Sequence, residues 1–263
     1  MASAIFLLTD FGDRDAYVGV MKAVMLGIAP DVRIVDLCHN IEPQDVVSAA
    51  YVLLTAVPYV PEGSIVVAVV DPGVGSDRRI VAMEFERFWV IAPDNGLATL
   101  VLDRYRMRTA FTVEWERLGR PTPSATFHGR DIFAPAAALL ASGGSAAARL
   151  GRRVEGEMLL RLDLQPAERN GSIVGCILHR DRFGNLVTNV EAVRWNIEPH
   201  AGWLCDIGSE TVPLVRTYSD VPLGEPLAYV GSSGFVEIAV RNGSAQALFG
   251  NTPAVSLRRP PAD

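Results

Sequence analysis

Four polar stretches lie at the ends of apolar runs or just ahead of a helix in this sequence: "TDFGDRDAY" from Thr9, "DPGVGSDRR" from Asp71, "APDNG" from Ala92 and "TFHGRD" from Thr126. They carry carboxylates, arginines and an imidazole, the groups that hold hydroxyls, orient water and accept protons. Any one of them is equally well explained as a satisfied turn. Asp10 could cap a helix, Asp71 could begin a Pro-Gly turn, and Asn95-Gly96 is a strong turn pair by itself. Four such stretches converging on one sheet edge are harder to dismiss, because open α/β sheets bind ligands at the carboxyl ends of their strands.

The elements that must position them alternate along the chain. Ala4–Thr9 is a continuous apolar run that stops at Thr-Asp, which predicts a buried strand. Across residues 16–28, Tyr17, Val20, Met21, Val24 and Ile28 recur at helical spacing, with Asp13 and Asp15 near the positive end and Pro30 past the other. "VRIVDL" predicts a second strand, "PQDVVSAAYVLLTAV" a helix opening on Pro43, and Ser64–Val70 a third strand. Two short strands, Arg79–Phe85 and Phe88–Ile91, follow, then an alanine-rich helix from about Asp131 to Ala141 with Pro135 in or near its first turn. This order implies right-handed crossovers and a mostly parallel sheet flanked by helices. After "LDLQPAERNGS" only short runs remain, such as "IVGCIL", "VEIAV" and "PAVSL", between Gly, Pro and Asn turns. The expected organisation is an N-terminal α/β domain over residues 1–165, a linker near 163–171, and a smaller antiparallel β domain over 171–263.

Bulk properties narrow the chemistry. A chain of 263 residues, 49% hydrophobic and 21% charged, can bury a sizeable core. A net charge of -6 gives no field for phosphate backbones, so a small-molecule partner is expected and nucleic acid is not. The run Ile5–Leu8 ends at once in Thr9-Asp10, too soon for a signal peptide or a membrane span, so the expected location is cytoplasmic with no membrane partner. Cys38, Cys176 and Cys205 are odd in number and far apart, and read as small core residues rather than a disulfide framework or zinc site. Lys22 is the sole lysine, which disfavours Schiff-base chemistry. "GVGSDR" places Arg78 where a dinucleotide fingerprint needs its third glycine, and P-loop, HExxH and G-x-S-x-G signatures are absent.

The motifs "TDFG-x-x-D-x-Y-V-G-x-M-K", "D-x-x-H-x-I-x-P-x-D", "VAVVDPGVG-x-x-RR", "APDNGL", "TFHGRDIFAP-x-A", "D-x-FGN-x-x-TN" and "GSSGFVEIAV" together resemble the S-adenosylmethionine hydroxide adenosyltransferase family, relatives of fluorinase and chlorinase. The resemblance runs from Leu8 to about Ala245. It implies an N-terminal α/β domain, a C-terminal β-barrel-like domain and a homotrimer with active sites between neighbouring chains. It also implies cleavage of S-adenosylmethionine at C5′ by water, giving adenosine and L-methionine, with no cofactor and no metal. The family's triad matches Asp71, Arg78 and His128, with Arg79 one position away from the matched arginine. Asp10 resembles the acid that holds both ribose hydroxyls, a task suited to a double acceptor. Asp181 and Asn185 resemble the groups that meet the methionine amine and the adenine, Ser232 and Ser233 the clamp on the methionine carboxylate, and Tyr218 the ring that stacks on adenine.

Three departures from the halogenases bear on the nucleophile: Asp71 replaces a tyrosine, Gly129 a serine, and Gln44 a tryptophan. A carboxylate about 4 Å from a halide repels it by roughly 4 kcal/mol at an effective dielectric near 20, about a thousandfold in occupancy. Asp71 therefore favours water over halide. Pairing with Arg78 softens that repulsion and weakens Asp71 as a base. The expected course is a neutral water, oriented by Asp71 and His128, that attacks first and gives up its proton late. Against this stand a chlorinase-like halogenase, a binding module without catalysis, and a metal-dependent hydrolase using Asp10, Asp13, Asp15 and His39. Outside the family match, His128 reads as a core or capping histidine, His39 as a backbone-bonding one, and His179 and His200 carry no signal.

Overall fold

In the computed structural model, which describes residues 4–143, 146–199, 201–251 and 253–259, the first apolar run forms strand β1 (Ala4–Thr9). The chain divides at Leu162/Asp163 into two compact units. His200 and the last residues of the expected C-terminal domain lie outside the described residues.

In the N-terminal unit, β1 is followed by α1 (Tyr17–Ile28), β2 (Arg33–Cys38), α2 (Val46–Ala56), β3 (Ser64–Val69), β4 (Ile80–Phe85) and β5 (Phe88–Pro93). Then come α3 (Thr99–Arg104), β6 (Met107–Thr112), α4 (Ala134–Ala141), α5 (Ala146–Leu150) and β7 (Arg153–Val154). The seven strands lie in the order β2-β1-β3-β5-β4-β6-β7. The first four run parallel, and β4, β6 and β7 add antiparallel pairs at one side. Every residue of β3 is buried, as an unbroken "SIVVAV" requires of a strand covered on both faces. Ile5 and Leu7 of β1 and Ile65 and Val67 of β3 pack in one cluster with Met21 and Met25 of α1 and Ala134, Ala137 and Ala138 of α4.

This connectivity creates the functional edge. The chain leaves β1 through α1 to β2 on one side, then returns through α2 to β3 on the other, so β1 and β3 flank a switch point where open sheets bind ligands. The register pairs Thr9 with Val69. Asp10 and Asp71 therefore leave the sheet at the same end of adjacent strands.

Several local details differ from the sequence expectation. Helix α2 does not open on Pro43: Gln44 has a left-handed φ of 68°, and Asp45 caps the helix by accepting from the Ser48 N–H at 2.9 Å. Asp13 and Asp15 are exposed and precede α1, whose first turn holds no acid, so the helix dipole does not explain them. The alanine-rich helix starts earlier than Asp131, through a π-turn at Gly129–Phe133 that continues into α4. Such π-turns are frequent at functional sites. Helix α3, only six residues long, is too short to show a period.

Among the described residues the strands of the C-terminal unit pair antiparallel apart from one isolated bridge: β8 (Ala167–Arg169), β9 (Ser172–Gly175), β10 (Ile177–Arg180), β11 (Leu186–Glu191), β12 (Leu204–Ile207), β13 (Glu210–Pro213), β14 (Pro226–Val230), β15 (Phe235–Val240), a short helix α6 (Ala245–Phe249) and β16 (Val255–Arg258). They form two sheets, β10-β11-β15-β14 and β13-β12-β16-β9-β8. The chain passes from one sheet to the other at Cys176, and the bridge Leu214–Ala228 joins them again. Both sheets contribute to one core, with Leu186, Val236 and Ile238 from the first and Cys205, Ile207 and Leu257 from the second. The expected linker is not a plain connector. Residues 167–169 form β8, paired with β9 across Asn170-Gly171, both at positive φ, which is the chemistry of a tight hairpin.

Replacing Asp45 by alanine removes the cap of α2 and should cost about 1 kcal/mol of stability. Urea unfolding of the variant checks this, and a midpoint equal to wild type would show that the cap contributes nothing.

Candidate active site

The loop after β3 is shaped so that an arginine seven residues on returns to the acid at its start. Val74 N–H donates to the Asp71 carbonyl at 3.2 Å and Ser76 N–H to the Gly73 carbonyl at 3.1 Å. Gly75 has φ +80°, and a Cβ there would lie 2.5 Å from the Ala125 carbonyl oxygen, so only glycine lets this loop approach the 124–126 segment. Arg78 then folds back onto Asp71, its Nε 2.9 Å from both carboxylate oxygens and its Nη2 donating to Oδ2. Both side chains are largely buried, at 11% and 5% exposure.

The same Nη2 lies 2.8 Å from His128 Nδ1. A guanidinium can only donate, so Nδ1 must be the acceptor and the ring proton sits on Nε2. Burial, and then the positive charge of Arg78, hold the His128 pKa below its usual 6.5, against the opposing pull of Asp71 and Asp131. His128 is thus a neutral ring that offers an N–H. It enters the site from the residue that caps the π-turn, and Gly129 behind it is packed against Met21, Phe11 and Phe127.

Asp10 Oδ2 accepts from the Gln44 N–H at 2.8 Å, the left-handed residue that delayed α2. Burial raises the Asp10 pKa and nearby Asp71 adds to it, while the Gln44 amide opposes them. Asp10, Gln44, Asp71 and His128 line a cavity of about 610 Å³ whose walls include Phe11, Tyr17 and Phe127. Those three rings contact one another, with centroids 5.1 to 6.1 Å apart. The volume and the mixture of aromatic wall and few polar groups suit a small ligand. A larger cavity, about 740 Å³, also touches Arg78 and His128, but its arginines 79 and 152 are paired with Asp94 and Glu114. The smaller cavity, where the Asp10 and Asp71 carboxylates converge beside His128, is the better site.

The neighbouring arginine is placed elsewhere. Arg79 Nε donates to Asp94 Oδ2 at 2.9 Å and its Nη2 to the Met158 carbonyl, while Asp94 Oδ1 accepts from the Leu160 N–H at 2.8 Å. Asn95 donates to the Val70 carbonyl at 3.0 Å. "APDNG" is therefore scaffold, tying the end of β3 to the 158–160 segment. Among the described residues no group of three or more His, Cys, Asp or Glu could hold a metal ion.

The C-terminal unit gathers its own polar set. Asp181 Oδ1 accepts from the Phe183 and Asn185 N–H groups at 2.9 and 2.8 Å, shaping the turn between β10 and β11. Asn185 Nδ2 donates to Asp181 Oδ2 at 2.8 Å and to the Tyr218 hydroxyl at 3.2 Å. Tyr218 continues to the Tyr229 hydroxyl at 2.7 Å, and Tyr229 donates to Glu237 Oε2 at 2.5 Å. Burial raises the Glu237 pKa, with Asp181 adding to it against the Tyr229 hydrogen bond. The turn of Ser232 and Ser233 between β14 and β15 rests on the same acid: a Cβ at Gly231 would lie 1.8 Å from Glu237 Oε1. Exposed Phe183 and Tyr218 flank a cavity of about 500 Å³ that also touches Asn185 and Gly243. Tyr229 and Glu237 escape the sequence-based list. The one available signal is a glutamate inside the otherwise apolar "FVEIAV", a residue type rarely buried without a partner.

Comparisons with known proteins agree over both units. Residues 5–151 match the SAM hydroxide adenosyltransferase N-terminal domain and residues 175–257 the C-terminal domain. A Thermus thermophilus protein named (R)-S-adenosyl-L-methionine hydrolase is 43% identical, covering 97% of this chain and 98% of its own. One of the same name from Salinispora tropica is 39% identical over 97% and 96%. A fluorinase from Actinopolyspora mzabensis is more distant, 29% identical over 92% of each chain. The crystal structure of an uncharacterised conserved Thermotoga maritima protein superposes with a TM-score of 0.86 at 33% identity, covering 97% of this chain and all of that one. The chain belongs to the SAM hydroxide adenosyltransferase family.

Proposed function

We infer that this chain is an S-adenosyl-L-methionine hydrolase that cleaves its substrate at C5′ with water to give adenosine and L-methionine. Relatives named for that activity at 37–43% identity support it. The single structural observation that carries the chemistry is the Asp71–Arg78–His128 cluster at the wall of the cavity that also holds Asp10.

The reaction is an in-line displacement. A water oxygen forms a bond to C5′, the C5′–S bond breaks with its electron pair going to sulfur, and the sulfonium becomes a neutral thioether. No acid is needed for that leaving group, so the protein's work is alignment of oxygen, C5′ and sulfur. Asp71, fixed by Arg78, accepts one water hydrogen and later the proton, while His128 donates its Nε2–H to the same oxygen. Arg78 holds the acid in place, so its carboxylate orients a neutral water for attack, the proton leaving late. Asp10 takes the ribose hydroxyls. Asp181, Asn185, Ser232, Ser233 and Tyr218 receive the methionine and adenine ends. We propose in addition that no metal or cofactor takes part, that the chain forms a homotrimer, and that it works in the cytoplasm.

Incubating pure protein with S-adenosylmethionine, with EDTA and with added chloride, tests this directly. Chromatography should show adenosine and methionine in all arms; abolition by EDTA, or a 5′-chloro product, would overturn it. Asp71→Asn and His128→Ala should lower kcat by 100-fold or more, on the order of general acid–base effects, with KM little changed. An equal loss through KM would defeat the roles given to them. Protonating His128 turns Nδ1 into a donor facing Arg78, so kcat should fall on the acid side only. Because the His128 pKa is depressed, that limb should lie below pH 6.5. A kcat profile with its acid midpoint above that value would contradict the neutral-ring assignment.

A further inference from the structure

The loop carrying Asp10 is held from beneath by groups that take no part in the chemistry above. Thr9, fully buried at the end of β1, accepts from the Phe11 N–H through Oγ1 at 3.2 Å, and the same oxygen lies 2.8 Å from His39 Nδ1. His39 Nε2 lies 2.9 Å from Asp36 Oδ1, and Lys22, on α1, donates to Asp36 Oδ2 at 2.6 Å. The His39 carbonyl accepts from the Gly12 N–H at 2.7 Å. The residues on either side of the Asp10 peptide chain are therefore fixed by one histidine, through its ring on Thr9 and its backbone on Gly12. The acid itself takes the Gln44 amide from the same segment, five residues after His39. Burial acts to raise the Asp36 pKa, but hydrogen bonds from Lys22 and His39 outweigh it and hold it low, so an anion anchors the outer end of the chain.

We propose that His39, oriented by the Lys22–Asp36 pair and seated on Thr9, is a positioning residue that aims the Asp10 carboxylate at the ribose diol and thereby sets selectivity for substrates with both hydroxyls. Direction is built into the chain. The Asp36 carboxylate can only accept, which favours the ring proton on Nε2, 2.9 Å from its Oδ1, and leaves Nδ1 to accept from the Thr9 hydroxyl. The hydroxyl acts as a rigid spacer between the ring and the loop. Losing either member frees the Asp10–Gly12 backbone to move by the fraction of an ångström that separates a two-oxygen grip on a diol from a single hydrogen bond.

The proposal rests on Asp10 binding the ribose, and the test separates the two. Calorimetric titration of the full chain with adenosine and with 2′,3′-dideoxyadenosine gives a selectivity ratio for the diol. In wild type that ratio should be on the order of tenfold to a hundredfold, as for hydrogen bonds to a charged acceptor. Asp10→Ala should abolish it; a ratio that survives there would overturn the ribose reading itself. Thr9→Val, which keeps the buried volume, and His39→Ala should each cut the ratio about tenfold while dideoxyadenosine affinity stays within about twofold. Lys22→Met should cut it less, and Lys22→Arg should restore it. A ratio unchanged in Thr9→Val and His39→Ala, with Asp10→Ala effective, would overturn the positioning role. Equal loss of affinity for both ligands would also overturn it, since that marks general damage to the loop.

Discussion

The ion pair between Asp71 and Arg78 is the constraint on which the candidate site depends. The β1–β3 register brings two acids, Asp10 and Asp71, to one cleft, and Asp71 contributes to the raised pKa of Asp10. Two carboxylates sharing a partly dry site repel, and one of them must be compensated. Arg78 does this from within the same loop, contacting both oxygens of Asp71. A guanidinium fixed in that way has its remaining donor geometry fixed too, so His128 must meet it with a bare nitrogen. Acid, cation and imidazole are thus one locked unit, and losing one partner of such a buried pair would leave the other as an uncompensated charge.

In the proposed reaction the lock would also set the character of the nucleophile. The cluster presents an acceptor edge on Asp71 and a donor on His128, complementary to a neutral water and hostile to a naked anion. A neutral tyrosine at position 71 would lack that repulsion. The rings of Phe11, Tyr17 and Phe127 form one wall of the same cleft.

Polar hubs recur behind the groups that would touch substrate. In the N-terminal unit His39 ties the Asp10 loop to α1 and β2, while in the C-terminal unit Glu237 ends a hydrogen-bonded chain from Asp181 through Asn185, Tyr218 and Tyr229. In each case a group withdrawn from the cavity surface fixes loops whose backbones have no ladder to hold them.

Much was legible in the one-dimensional pattern, because burial on both faces demands unbroken apolar strands and the turn residues between them have few alternatives. The five apolar runs from β1 to β5, the shift to short antiparallel strands, and the polar ends at Asp10, Asp71 and His128 all follow from residue type and local spacing. Register and pairing do not. Whether Arg78 or Arg79 meets Asp71 depends on a glycine-permitted loop path, and Asp94, equally acidic and equally placed after a strand, becomes the scaffold partner of Arg79. The hairpin at Asn170-Gly171 and the late start of α2 were settled by left-handed backbone at single residues, which composition cannot reveal. The sequence by itself determined which chemical groups stand at strand ends; only the tertiary structure decided which of them touch, because contacts across 30 to 50 residues are fixed by strand order and packing and leave no period in the chain.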